Sequence, residues 1–143
     1  MTVESCLFCR IALGKEKAWV VYRDSHVMAF LDRFPMTKGH TLVIPIRHYE
    51  SMFDIPYQIL MKIASLSKRL CKNYERTLRI QGVSIGVLNH KKNKSYHRHF
   101  HLHVIPRYNK NDERDPANVK PIQTFPEESD ENLDRTLAKT IAK

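Results

Sequence analysis

A run of histidines at strict alternation, His97-Arg98-His99-Phe100-His101-Leu102-His103-Val104-Ile105-Pro106-Arg107, restricts this chain more than any other stretch. Alternation is the period of a β-strand, whose successive side chains point to opposite faces. The pattern places four of the eight histidines on one face, spaced about 7 Å apart. It leaves Phe100, Leu102 and Val104 on the other face, free to pack on a core. A helix would scatter the same residues around its circumference. Desolvated imidazoles titrate near neutral pH and need partners. A row of them therefore suits a metal, an acidic ligand such as phosphate, or nucleophilic and acid–base catalysis. A solvated basic edge strand is the plain alternative, but it has no use for Phe, Leu and Val between the histidines.

Taken in order, the remaining segments predict where this strand sits. Cys6 to Gly14 reads as a short knuckle or helical turn. Trp19–Arg23 and His26–Asp32 read as two strands of a hairpin turning at Asp24-Ser25. A loop holding Pro35 and Gly39 leads to a third, apolar strand, His40–Pro45. Asp54 is placed to cap a long helix that tolerates Pro56 in its first turn. Ile59, Ile63, Leu66, Leu70, Tyr74 and Leu78 recur there at three- and four-residue steps, with Lys62, Lys68, Arg69, Lys72 and Arg76 turned to water. Gly82–Asn89 reads as a fourth strand, joined to the histidine strand by the basic turn His90–Ser95 as an antiparallel hairpin. Residues 109–128 read as a surface arm, and Ser129 as the cap of a last helix burying Leu133, Leu137 and Ile141. The expected fold class is α+β: a mainly antiparallel sheet of about five strands, one long helix packed on it, and a short C-terminal helix. Residues 1–143 read as one domain, with 109–143 a loop and helix extension.

Composition narrows the function. A chain of 143 residues, 42% hydrophobic, is enough for one real core. No apolar run approaches a membrane span, and the first residues lack the basic and apolar regions of a signal peptide. The expected location is intracellular, in the cytoplasm or nucleus. A net charge of +9 favours acidic substrates and leaves nucleic-acid binding open beside a merely basic surface. Three cysteines do not make a disulfide framework. Cys71 falls in the long helix as a small core residue, whereas Cys6-x-x-Cys9 has metal or redox spacing and supplies half of a tetrahedral zinc site.

Three blocks in order, Ala29-Phe30-Leu31-Asp32, Gly39-His40-Thr41-Leu42-Val43-Ile44-Pro45 and His99 to Arg107, resemble the histidine triad (HIT) family of nucleotide hydrolases and transferases. The resemblance covers roughly Cys6 to Arg107. It implies that His101 is the nucleophile, forming a nucleotidyl-histidine intermediate that water hydrolyses. It makes His103 a phosphate ligand and leaving-group partner, His99 an orienting residue and His40 the fourth active-site histidine. Asp32 would hold the ribose hydroxyls, Asn89 and Ser95 would contact phosphate, and Phe8, Ile11 and Leu31 would line the base pocket. Cys6 and Cys9, completed by His48 and His99, would hold a structural zinc, with no cofactor needed for the chemistry. The implied substrate is a purine nucleoside phosphoramidate or a related adenylylated compound or dinucleotide. A homodimer formed through the long helix and an adjoining strand is also implied.

One departure stands out. Where family members carry Gly-Gln-Ser or Gly-Gln-Thr before the triad, this chain has Asn93-Lys94-Ser95-Tyr96. That leaves as an alternative a nucleotide-binding scaffold with weak or no turnover; the +9 charge leaves a DNA- or RNA-end deadenylating enzyme, and the four strand histidines a non-catalytic zinc module.

Overall fold

The computed structural model describes residues 5–88, 98–108 and 131–142, without the side chains of Asn132 and Leu133. Asn89, Ser95, His97, the basic turn, the arm at 109–128, the Ser129 cap and the Leu133 side chain lie outside the described residues. Eight elements follow one another: α1 (Leu7–Ala12), β1 (Val20–Arg23), β2 (Val27–Leu31), β3 (Thr41–Pro45), α2 (Tyr57–Leu78), β4 (Gly82–Gly86), β5 (Leu102–Arg107) and α3 (Glu131–Ala142). The strands form one sheet in the order β1-β2-β3-β5-β4, antiparallel at every pairing. The α+β expectation holds. Among the described residues no helix is long and apolar enough to cross a membrane.

The sheet has two covered faces, and strand alternation sorts residues between them. Val27, Ala29, Leu31 and Val43 pack with Ile63, Leu66, Leu70 and Tyr74 of α2 and with Leu137, Ala138 and Ile141 of α3. Met28, Phe30, Leu42 and Ile44 pack the opposite way, against Phe8, Cys9, Ile11 and Ala12 of α1. Every residue of β2 and β3 is therefore buried, which explains why neither strand shows polar alternation. Phe100, Leu102 and Val104 lie on the α2 side, as their alternation requires.

Three expectations change. The histidine strand is shorter than the alternation suggests, since the ladder begins only at Leu102. Ahead of it the backbone is held by isolated contacts, such as Phe100 N–H to the Tyr49 carbonyl at 2.6 Å. Gly82–Asn89 yields strand only to Gly86. Asp54 does not cap α2. Its carboxylate accepts from the Glu50 and Ser51 backbone N–H groups and the Ser51 hydroxyl, closing the preceding turn. Pro56 stands at the N-cap with extended φ and ψ.

The loop from β2 to β3 is tied into the sheet. Gly39 has φ +88, and a Cβ there would lie 3.0 Å from Leu78 Cδ1 and 3.3 Å from Pro106 Cγ. The site admits glycine on both counts. The Tyr74 hydroxyl, fully buried on α2, reaches Thr41 Oγ1 at 2.6 Å and the Gly39 carbonyl at 3.0 Å. The Thr41 hydroxyl donates to the same carbonyl at 2.9 Å. These bonds bracket His40 on both sides.

Candidate active site

His40, immediately before β3, and His103, on β5, meet because β3 and β5 are neighbours with Leu42 opposite His103. The Met36 backbone N–H donates to His40 Nδ1 at 3.1 Å, so that nitrogen bears no proton. Burial, followed by the charge His103 and His101 would carry, lowers the His40 pKa to about 3. The ring is neutral, and its proton sits on Nε2. That Nε2–H donates to His103 Nδ1 at 2.9 Å. His103, its pKa lowered to about 3 chiefly by burial, then carries its own proton on Nε2. Among the described residues this Nε2 is buried with no hydrogen-bond partner. An unmet buried donor is costly unless a ligand uses it.

His101 stands beside His103, ring centroids 5.0 Å apart. Its Nδ1 lies 2.8 Å from the His99 carbonyl. A carbonyl only accepts, so Nδ1 donates, and in the neutral ring Nε2 holds the lone pair. A neutral imidazole with its lone pair beside an imidazole N–H is a nucleophile next to an anion donor.

Asp32 follows β2 directly. Its Oδ2 is 3.6 Å from His40 Nε2, longer than the His103 contact, so the histidine pair takes the proton. Burial raises the Asp32 pKa to about 6, against the lowering effect of the Phe34 N–H it accepts. The carboxyl therefore ionises just below neutral pH.

Phe8 and Ile11 share the apolar cluster below β2 and β3, and the Phe8 ring meets His101 edge-on at 5.1 Å. Leu31 does not join them. It points to the α2 and α3 side and lines a cavity of about 50 Å³ with Asp32, Lys38, His40, Asp134 and Leu137. Its place beside Phe8 belongs to Phe30, 5.7 Å away. Strand parity was the signal for it, since Phe30 lies two residues from Asp32. Asn89 and Ser95 lie outside the described residues.

Behind the histidines is a second cluster. Cys6, Cys9, His48 and His99 bring their ligand atoms within 4.8 Å of one another. His99 Nδ1 is 3.5 Å from Cys6 Sγ and 3.4 Å from Cys9 Sγ, and His48 Nδ1 is 3.2 Å from Cys9 Sγ. Tetrahedral zinc, with ligand bonds of about 2.0–2.3 Å, needs edges of this size. His99 Nε2–H donates to the Pro45 carbonyl at 3.0 Å, which turns the Nδ1 lone pair toward the thiols and is the usual outer support of a metal-ligating histidine. Burial and the neighbouring Cys6 push the Cys9 thiol up to about 12. Two buried sulfurs facing two imidazole nitrogens are the donor set a divalent cation such as zinc takes. All four residues fit zinc, which would clamp the knuckle to the sheet.

Comparison with known proteins agrees with this geometry. A family model described as the HIT domain matches residues 14–110. The protein hit of Bacillus subtilis is 32% identical over 145 aligned positions, covering 97% of this chain and 96% of that one. A zinc-bound histidine triad family protein from Mycobacterium smegmatis superposes with a TM-score of 0.78 at 29% identity, over 99% and 96% of the two chains. A hypothetical histidine triad nucleotide-binding protein from Sulfolobus tokodaii gives 0.79 at 25% identity, over 96% and 89%. With its triad, its companion His40 and its extent of match, this chain belongs to the histidine triad family.

Proposed function

We propose that the chain is a nucleotide hydrolase or nucleotidyl transferase that acts on a purine nucleoside phosphoramidate, or a related adenylylated compound or dinucleotide, through His101. One observation carries the reading: the His99 carbonyl occupies the His101 Nδ1 proton, which directs the Nε2 lone pair to substrate. Nε2 attacks phosphorus, the P–N bond breaks as the P–Nε2 bond forms, and the leaving amine takes a proton from solvent. Water then cleaves the P–Nε2 bond, releasing the nucleoside monophosphate and restoring neutral His101. The His103 Nε2–H, unpartnered among the described residues, donates to the charge that builds on the phosphoryl oxygens. Asp32, ionised at neutral pH, accepts from the two ribose hydroxyls, and Phe8 with Ile11 supports the base. Asn89 and Ser95 keep their implied role at the phosphate.

Zinc, held by Cys6, Cys9, His48 and His99, is structural in this reading. A homodimer fits the exposed Phe53 just before α2, Tyr57 and Met61 in its first turns, and the exposed Ile85 on the edge strand β4. Three free cysteines suit a reducing, intracellular setting.

The test is release of nucleoside monophosphate from an adenosine phosphoramidate, with quenched samples weighed for a nucleotidyl adduct on His101. Turnover should fall by at least about a thousandfold in His101→Ala. Unchanged turnover in that variant sinks the mechanism. Binding without turnover in the wild type favours the scaffold alternative.

A further inference from the structure

His99 belongs to both clusters. Its ring faces the two thiols and His48, while its main-chain carbonyl takes the His101 Nδ1 proton at 2.8 Å. The knuckle touches the nucleophile a second way. Phe8, between Cys6 and Cys9 in sequence, meets the rings of His99 and His101 edge-on at 5.9 and 5.1 Å. The knuckle is also weak on its own. α1 has six residues and no side-chain cap, far below the length at which a helix persists alone. Its place under the histidines depends on burial and on whatever holds Cys6 and Cys9. His99 and His101 precede the first β5 ladder residue, Leu102, so the carbonyl's peptide is held outside the ladder, by the Phe100 N–H on the Tyr49 carbonyl at 2.6 Å and by the anchored His99 side chain.

We propose that the Cys6–Cys9–His48–His99 centre is a positioning device for the nucleophile: by holding the knuckle and His99 it keeps the His99 carbonyl on His101 Nδ1, so that the lone pair stays on Nε2. This rests on His101 being the nucleophile and on the centre binding zinc. It goes further than a clamp for the fold, since it makes a residue outside the reaction set the tautomer of the one inside it. His99 is accordingly a positioning residue, acting through His101.

The test uses the full chain with ¹⁵N-labelled histidine, loaded with zinc or dialysed against a chelator, at a fixed pH of 8. Long-range ¹H–¹⁵N spectra report which ring nitrogen carries the proton, with the His101 signals assigned by their loss in His101→Ala. Zinc-loaded protein should show His101 as the Nδ1–H tautomer alone. Chelated protein should show a mixture with Nε2–H, while the His40 and His103 signals keep their positions. In the enzyme assay kcat should fall about tenfold with KM unchanged, the size expected when one orienting hydrogen bond is lost.

A second variant, His48→Gln, keeps three of the four donors and binds zinc more weakly. Zinc titrated into it should restore the Nδ1–H tautomer with the same midpoint as metal binding. A His101 tautomer indifferent to zinc in both proteins overturns the proposal. So does unfolding of both zinc-free forms, because the metal would then act on the whole chain. The spectra need no substrate, so this result stands apart from failure of the hydrolase reading, which only the assay would show.

Discussion

The three-way contact among Tyr74, Thr41 and Gly39 makes a prediction about non-additivity. Tyr74 has one phenolic proton, and the shorter of its two contacts, 2.6 Å, goes to Thr41 Oγ1. The Thr41 hydroxyl passes its own proton to the Gly39 carbonyl at 2.9 Å. Tyr74→Phe therefore removes one hydrogen bond but leaves the buried carbonyl satisfied, at a cost of about 1 kcal/mol. In Thr41→Val the Tyr74 O–H turns to the carbonyl it already faces at 3.0 Å, again at about 1 kcal/mol. The double variant leaves Gly39, which is buried, with neither donor. An orphaned buried acceptor costs about 1–3 kcal/mol more. Urea titration of zinc-loaded protein, followed by Trp19 fluorescence, should give two mild singles and a double worse than their sum by at least about 1 kcal/mol. In thermal melts each single should lower Tm by about 3 °C and the double by about 10 °C. Additivity within about 0.5 kcal/mol would refute the reasoning, since the hydroxyls would then not substitute for one another.

Other outcomes follow from the same geometry. Gly39→Ala should cost about 3 kcal/mol in urea, from positive φ plus the Leu78 and Pro106 contacts. Gly14→Ala, at φ +70 with nothing within 4 Å, should cost only about 1 kcal/mol; equal losses would show that packing contributes nothing at Gly39. Cys9→Ser should reduce bound zinc, measured by mass spectrometry of the metal, from one per chain to none at equal dialysis; retained zinc would remove Cys9 from the site. Acid should destabilise the fold. His40 and His103 titrate near 3 when folded and near 6.5 when unfolded, so the unfolded chain protonates first and their contribution, complete above pH 6.5, is lost as pH falls toward 3. Asp32, raised from 3.8 to about 6, acts oppositely, gaining stability as pH falls through 6. The histidines outweigh it, His99, lowered to about 4 by burial, adding to the loss, and urea stability should drop by more than about 3 kcal/mol between pH 7.5 and 4.5. Asp32→Asn should steepen that drop; a shallower one would mean the sign assigned to Asp32 is wrong.

Much of the site was readable because strand parity is a local property. Alternation put His99, His101 and His103 opposite Phe100, Leu102 and Val104, and that sorting survives although the β-ladder covers only Leu102 onward. The same rule at Ala29-Phe30-Leu31-Asp32 sends Leu31 to the α2 and α3 side and Phe30 to the side of Phe8. Asp54 misled for a different reason: a carboxylate three residues before a helix suits either the helix or its own turn, and only the fold shows the Glu50 and Ser51 N–H groups in reach. The Cys6–Cys9 pair announced itself by spacing. Its pairing with His48 and His99 came through family resemblance, because those partners are 39 to 93 residues away. The Met36 N–H that sets the His40 tautomer is a backbone group, and no side-chain pattern records it.

The last helix bears on where such a chain can be cut. The HIT-domain match ends at residue 110, yet α3 begins at Glu131 and places a fully buried Ile141 in the core beside Tyr74. The Ile141 side chain comes within 3.5 Å of the Cβ position at Gly39, and its carbonyl takes an N–H from Asn73 on α2. A fragment trimmed to the family boundary would keep every histidine of the triad and lose the buttress behind the loop that presents His40. For this chain, the unit that folds extends past the border of the family-model match, and expression or transplantation of the site should follow the former.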